Sequence, residues 1–164
     1  TCECLGNMED AFCYYKLRTT MVGFWEERFQ AFYRCGEICE KIGKPWDESM
    51  KWYIKAFEYS PRAEPLIKIS EHYKNNNWFL SFSFANILCK LKFPEECILF
   101  VDKYAYNYTR WHLIGISGWY AGFYEEGKLG CIKAIEAGMN IELDKSNLKF
   151  YVDRENDINK RLLM

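Results

Sequence analysis

The chain has 164 residues, 49% of them hydrophobic and 18% aromatic, enough to bury a sizeable core and short enough for one domain. Its 22 basic residues nearly cancel its 23 acidic ones, and the net charge of -1 gives no whole-chain footprint for a nucleic-acid backbone, an anionic membrane or a phosphate groove. No apolar run approaches bilayer length and the start Thr1-Cys2-Glu3-Cys4 lacks a basic region followed by an apolar one, so a soluble chain is expected.

In chain order, Gly6 to Ala11 with Tyr15 reads as a turn and the second helix of a pair, Met8 to Met21, whose first helix is mostly missing. A full pair follows, Glu26 to Ile42 and Asp47 to Tyr59, with Gly36 inside the first helix, Gly43 at the turn, and Trp46, Ser49, Tyr53 and Ala56 along the second. Pro61 stops it. Small residues at Gly36, Ser49 and Ala56 let two antiparallel helices approach, while Tyr53 fills the space between them. The next pair is Ala63 to Lys74 and Trp78 to Leu91, turning at Asn75-Asn76-Asn77, with Ser81 and Ala85 as its small positions. Residues 92–107 form an apolar and aromatic connector with room for a short strand. Tyr108 to Ala121 and Tyr124 to Ala137 make the last pair, where Trp111, Gly115, Gly122, Tyr124, Gly127, Cys131 and Ala134 fall at offsets matching those of the Gly36 pair. Asp144 or Ser146 is expected to cap a closing helix at about 145–158, before a charged tail ending in Leu162-Leu163-Met164.

This pattern resembles tetratricopeptide repeats: 33 positions separate Gly43 from Asn76, near the repeat of roughly 34, and the 46 between Asn76 and Gly122 place an insertion in the connector. The expected fold is all-α, antiparallel helix-turn-helix repeats stacked as a superhelix in one domain over 1–164, its first repeat truncated.

Eight cysteines raise metal and disulfide readings, and their spacing argues against both. There is no Cys-x-x-Cys, Cys35 and Cys39 stand at helical i, i+4 spacing, and His72 and His112 are isolated from them. Reduced, buried thiols in the cytoplasm are expected, with no metal and no cofactor. The carboxylate pairs Glu26-Glu27, Glu95-Glu96 and Glu125-Glu126 read as acidic first turns of helices rather than acid/base catalysts. Cys89 with His72, or Cys131 with His112, has no local signature of a nucleophilic dyad, and no phosphate loop, nucleophile elbow or zinc-protease helix occurs. Asn107-Tyr108-Thr109 is formally a glycosylation acceptor, without meaning in a reducing compartment. No catalytic residue is assigned. If the first helices of the pairs line a concave face, Gln30, Tyr33, Glu37, Glu64, Ser70, Tyr73, His112 and Trp119 project into it, a mixture suited to an extended peptide or a sugar chain.

Three segments carry a more particular resemblance: Ala56 to Leu66, Leu99 to Asp102, and Tyr120 to Gly127. With Asn147 to Tyr151 they look like the helical region attached to family 2 glycosyltransferases of giant-virus and bacterial type. The resemblance implies a parent enzyme with a separate α/β catalytic domain and an Asp-x-Asp metal site. This chain has neither, so no catalytic residue carries over. Its implied role is accessory: positioning an acceptor or contacting a linked catalytic domain, in the host cytoplasm if the source is viral. A free-standing adaptor that binds a peptide of another protein is the alternative.

Overall fold

The structure, a computed structural model, describes residues 6–163. Cys2, Cys4 and Met164, all invoked above, lie outside the described residues. The regular elements of the described residues are all helical: α1 (Met8–Arg18), α2 (Trp25–Lys41), α3 (Trp46–Tyr59), α4 (Ala63–Tyr73), α5 (Trp78–Cys89), a π-helical turn (Ala105–Thr109) running into α6 (Arg110–Ala121), α7 (Tyr124–Ala137) and α8 (Ile141–Leu162). No strand occurs among the described residues, so the connector does not take up the strand allowed to it. No helix is long and apolar enough to cross a membrane among those residues.

Local chemistry accounts for most boundaries. Asn7 caps α1 by accepting from the Asp10 amide, and Glu9 and Asp10 at its start with Lys16 and Arg18 at its end complement the helix dipole. Asn77 caps α5 through the Leu80 amide. Gly122 and Gly138 end α6 and α7 at φ 84° and 78°, a conformation glycine adopts without a Cβ penalty. Three boundaries differ from expectation. Glu95 and Glu96 sit in a turn of the connector, not at a helix start. The last helix begins four residues early, after Asn140, and runs on to Leu162. Neither Asp144 nor Ser146 caps it: Asp144 is buried inside its first turns, and the Ser146 hydroxyl donates back to the Glu142 carbonyl.

The Cα packing divides into two units. The first takes the chain up to Leu66 together with Phe93–Val101, and the second takes Ile67–Lys92 and Asp102 onward.

In the first unit α2 packs on both α1 and α3. Phe32 meets Tyr59 with ring centroids 5.5 Å apart, and Gly36 meets the Tyr53 ring, so numbering falls along α3 as it rises along α2. The pair is antiparallel. Gly36 is required here, because a Cβ would stand 2.6 Å from Tyr53 Cε1. The connector is held by a buried charge cluster that its sequence does not advertise. The Glu26 carboxylate, 1% exposed, accepts from the Ile98 amide at 3.1 Å and the Leu99 amide at 2.7 Å. Arg62, fully buried, donates to the Leu99 carbonyl at 3.2 Å, the Phe100 carbonyl at 2.5 Å and the Glu64 carboxylate at 2.6 Å, its guanidinium 4.1 Å above the Phe29 ring. One guanidinium thus satisfies carbonyls that a loop would otherwise bury unpaired.

In the second unit α6 packs on α5 and α7, and α8 lies on α7 and α6. Gly115 meets Cys131, and Gly118 meets Gly127, again an antiparallel pair. A Cβ on Gly118 would stand 2.7 Å from Gly127 Cα, so the two backbones touch. The Tyr151 hydroxyl lies 2.1 Å from where a Gly127 Cβ would be and donates to the Gly115 carbonyl at 2.7 Å, locking α8 across the pair.

Candidate functional site

The site begins with Trp119, half-buried near the end of α6 where α8 passes. Its indole lies edge-on to Tyr151 with centroids 5.3 Å apart, edge-on to Tyr124 at 5.5 Å, and tilted against Phe150 at 5.7 Å. These contacts fix the ring, and two hollows open beside it. One, of about 410 Å³, is bounded by Trp119, Phe150, Asp153, Arg154, Asp157, Ile158 and Arg161. The other, of about 120 Å³, runs along Gly115, Ile116, Tyr120 and Asn147 and shares Trp119 and Phe150 with the first. The residues of α8 recur every three or four positions, which puts Asn147, Phe150, Arg154, Asp157 and Arg161 on one face. Phe150 is 57% exposed, a large apolar ring left at the mouth of the cleft. Asn147 Nδ2 is buried and has no hydrogen-bond partner, an unsatisfied donor in the wall of the smaller hollow. Arg154 is held by the Tyr124 ring, 3.6 Å below its guanidinium. The arrangement offers a rigid aromatic wall, an amide donor at its foot and both signs of charge at its rim.

Comparison with protein-family models, with curated proteins and with solved structures finds no match for this chain. Function must come from the geometry.

The other residues expected at a binding face have distinct placements. In the first unit Gln30 borders a hollow of about 280 Å³ with Tyr15, Arg18, Glu27, Arg34 and Phe100. Tyr33 stacks on Phe29 and bonds to Glu37, while Glu37 also holds Arg34 at 2.7 Å. Burial, then the charges of Glu37 and Glu64, keep the Tyr33 hydroxyl protonated well above the usual tyrosine range. Glu64 is committed to Arg62. In the second unit Ser70 is fully buried and donates to the Ser81 carbonyl at 2.9 Å, so it packs between helices and faces no groove. Tyr73 stacks on Phe84 with centroids 6.3 Å apart. His112 is drawn into a polar knot: its Nδ1 lies 2.6 Å from Asp144 Oδ1, and the Tyr108 hydroxyl donates to Asp144 Oδ2 at 3.0 Å. Asp144 is 1% exposed, so this knot satisfies a buried carboxylate across α6 and α8. Burial and the bond to Asp144 push the Tyr108 hydroxyl up to about 12.

The two thiols weighed against these histidines are engaged by other groups. Cys131 packs against Gly115, and burial pushes its thiol up to about 12, with Asp144 adding to the shift. Cys89 donates to the Arg110 carbonyl at 3.6 Å and is likewise pushed up to about 12 by burial. The sequence names Trp119 for a binding face but not Asn147, Phe150 or the charged residues beyond them: most of these fall on the expected closing helix, yet no local signal says which of its faces α6 meets.

Proposed function

We propose that this chain is a tetratricopeptide-like binding module, accessory to a glycosyltransferase-related protein, which holds an acceptor in the cleft between α6 and α8. The observation that carries the reading is the pairing of the fixed Trp119 and Phe150 rings with the unpartnered Asn147 amide. An aromatic face stacks on the apolar face of a sugar ring, and an amide with flanking Asp153 and Asp157 carboxylates bonds to hydroxyls around its edge. The repeat reading is supported by two helix pairs with one contact scheme. Gly36 against Tyr53 and Gly115 against Cys131 occupy corresponding positions, and Gly43 and Gly122, the turns that follow, both have positive φ, 71° and 84°. Ala56 and Ala134, one turn further along, are both fully buried.

A free-standing adaptor is favoured by a different feature, the alternation of Asp153, Arg154, Asp157 and Arg161 along the rim, which suits a peptide carrying both charges. Calorimetric titration with a panel of neutral oligosaccharides and with mixed-charge peptides separates the two. Saturable binding of an oligosaccharide that weakens at least tenfold in Trp119→Ala and in Asn147→Leu supports the acceptor reading. Binding of peptides alone transfers the site to the adaptor reading, and binding of either class untouched by both substitutions removes the cleft from function.

A further inference from the structure

A second hollow, of about 440 Å³, opens in the first unit between α1 and α3. Its size falls within the range of small-ligand sites. Its lining is unusual for a chain with net charge -1: four lysines and one glutamate. Lys16 comes from α1, Lys44 from the turn before α3, and Lys51 and Lys55 from successive turns of α3, so three elements bring lysines to one hollow. Two are already placed. The Lys44 ammonium stands 4.7 Å above the Phe12 ring and the Lys55 ammonium 4.7 Å above Trp52, and those two rings meet edge to face at 5.9 Å. Cation–π contact holds each charge over an aromatic floor without neutralising it. Glu48 pairs with Lys44 at 3.3 Å and is the one carboxylate in the lining. Lys16, Lys51 and Lys55 have no carboxylate partner among the described residues.

Like charges crowded into one hollow repel, and they gain most from a ligand that brings several negative charges into a small volume. We propose that this hollow binds a compact, multiply charged phosphate compound, a diphosphate or longer. Three features select that class. The lining holds lysine and no arginine, so it offers rotatable point charges that can meet several charged oxygens at once rather than the planar fork that pairs with a single carboxylate or phosphate group. The ring faces beneath Lys44 and Lys55 are taken, which disfavours a stacked base as the recognised element. Convergence from three elements suits a compact ligand more than an extended chain. The site is independent of the aromatic cleft and of the reading given to it.

The test uses the whole chain with inorganic phosphate, pyrophosphate and tripolyphosphate as probes, titrated calorimetrically at fixed ionic strength. Affinity is expected to climb with the number of phosphates and to fall as salt is added. Lys16 and Lys51 make no contact that folding depends on, so Lys16→Gln and Lys51→Gln should each weaken tripolyphosphate by about three- to fivefold, and together by about tenfold or more. Glu48→Gln should tighten it. Absence of saturable tripolyphosphate binding, equal affinity for all three probes, or indifference to the double substitution overturns the proposal. Tighter binding of a glutamate-rich peptide than of tripolyphosphate, lost in the same double variant, overturns it in favour of an acidic protein partner.

Discussion

Gly36→Ala puts the packing argument at risk with a single methyl group. The new Cβ would stand 2.6, 2.8 and 2.9 Å from three carbons of the Tyr53 ring, closer than carbon atoms tolerate. That ring cannot swing aside: Tyr53 is fully buried, its hydroxyl donates to Glu40, and Tyr33 and Trp46 flank it with centroids at 5.6 and 6.2 Å. Alanine gains up to about 1 kcal/mol over glycine inside a helix. Overpacking costs about 1–3 kcal/mol, and a ring that cannot move puts this site in the upper part of that range, about 2–3 kcal/mol, which outweighs the gain. The net loss is about 1–2 kcal/mol, or a fall in Tm of roughly 2–8 °C for a chain of this size. Urea unfolding followed by far-UV circular dichroism measures it. In a Tyr53→Leu background the same substitution should cost clearly less, since the ring it strikes is gone. A Gly36→Ala protein as stable as the parent, or an unchanged cost beside Leu, refutes the assignment of this contact.

Removing the connector's anchor should be more damaging: Arg62→Met strips two carbonyls and Glu64 of their donor and leaves Glu26 buried beside nothing positive, for a loss of about 3–5 kcal/mol in urea. Asp144→Ala removes the carboxylate that both Tyr108 and His112 bond to, leaving them only each other at 3.2 Å, and should cost about 2–3 kcal/mol, measured the same way. Alkylation mapped by mass spectrometry at pH 8 should label exposed Cys13 first, while Cys35, Cys89 and Cys131, each pushed up to about 12, react about a thousandfold slower than thiols at the ordinary value of 9.0 through loss of thiolate alone. The same shifts set a pH trend. These thiols hold their protons more tightly folded than at the ordinary value of 9.0, so their contribution is complete below pH 9 and is lost as pH rises towards 12. Urea midpoints should therefore fall from pH 8 to pH 10, and a rising midpoint would contradict the burial of these groups.

The helix pairs were legible because their signals are local. Gly43, Pro61, Gly122 and Gly138 each act within a residue or two, and the small residues of α2 and α6 repeat at helical spacing. The buried Glu26 gave the opposite lesson. It reads as an acidic first turn, and α2 does begin there, yet its carboxylate reaches the Ile98 and Leu99 amides more than 70 positions away. Nothing in the neighbouring residues encodes that pairing. Ser70 and Trp119 illustrate the difficulty with the binding face: both lie on apolar helices, and which side of such a helix is covered depends on where its neighbours lie. Asn147 and Phe150 fall inside the expected closing helix, but that their face would meet Trp119 of α6 is set by packing and not by their neighbours in sequence. The lysine hollow was hidden by averaging, since a near-neutral total conceals a local excess.

The π-helical turn at Ala105–Thr109 carries one residue more than an α-helical path would need. Each residue of an α-helix turns the chain by about 100°, so that extra residue sets the angular register of the short helical turn at 103–106 against α6. Ala105 and Tyr106, 0% and 1% exposed, are aimed inward by this offset while α6 keeps its own face against α5 and α7. Deleting a single residue here would leave α6 whole and rotate the preceding turn by about a quarter-revolution, carrying a buried tyrosine towards solvent. A length change of one residue, harmless in most surface loops, becomes at this point a rotation of the core.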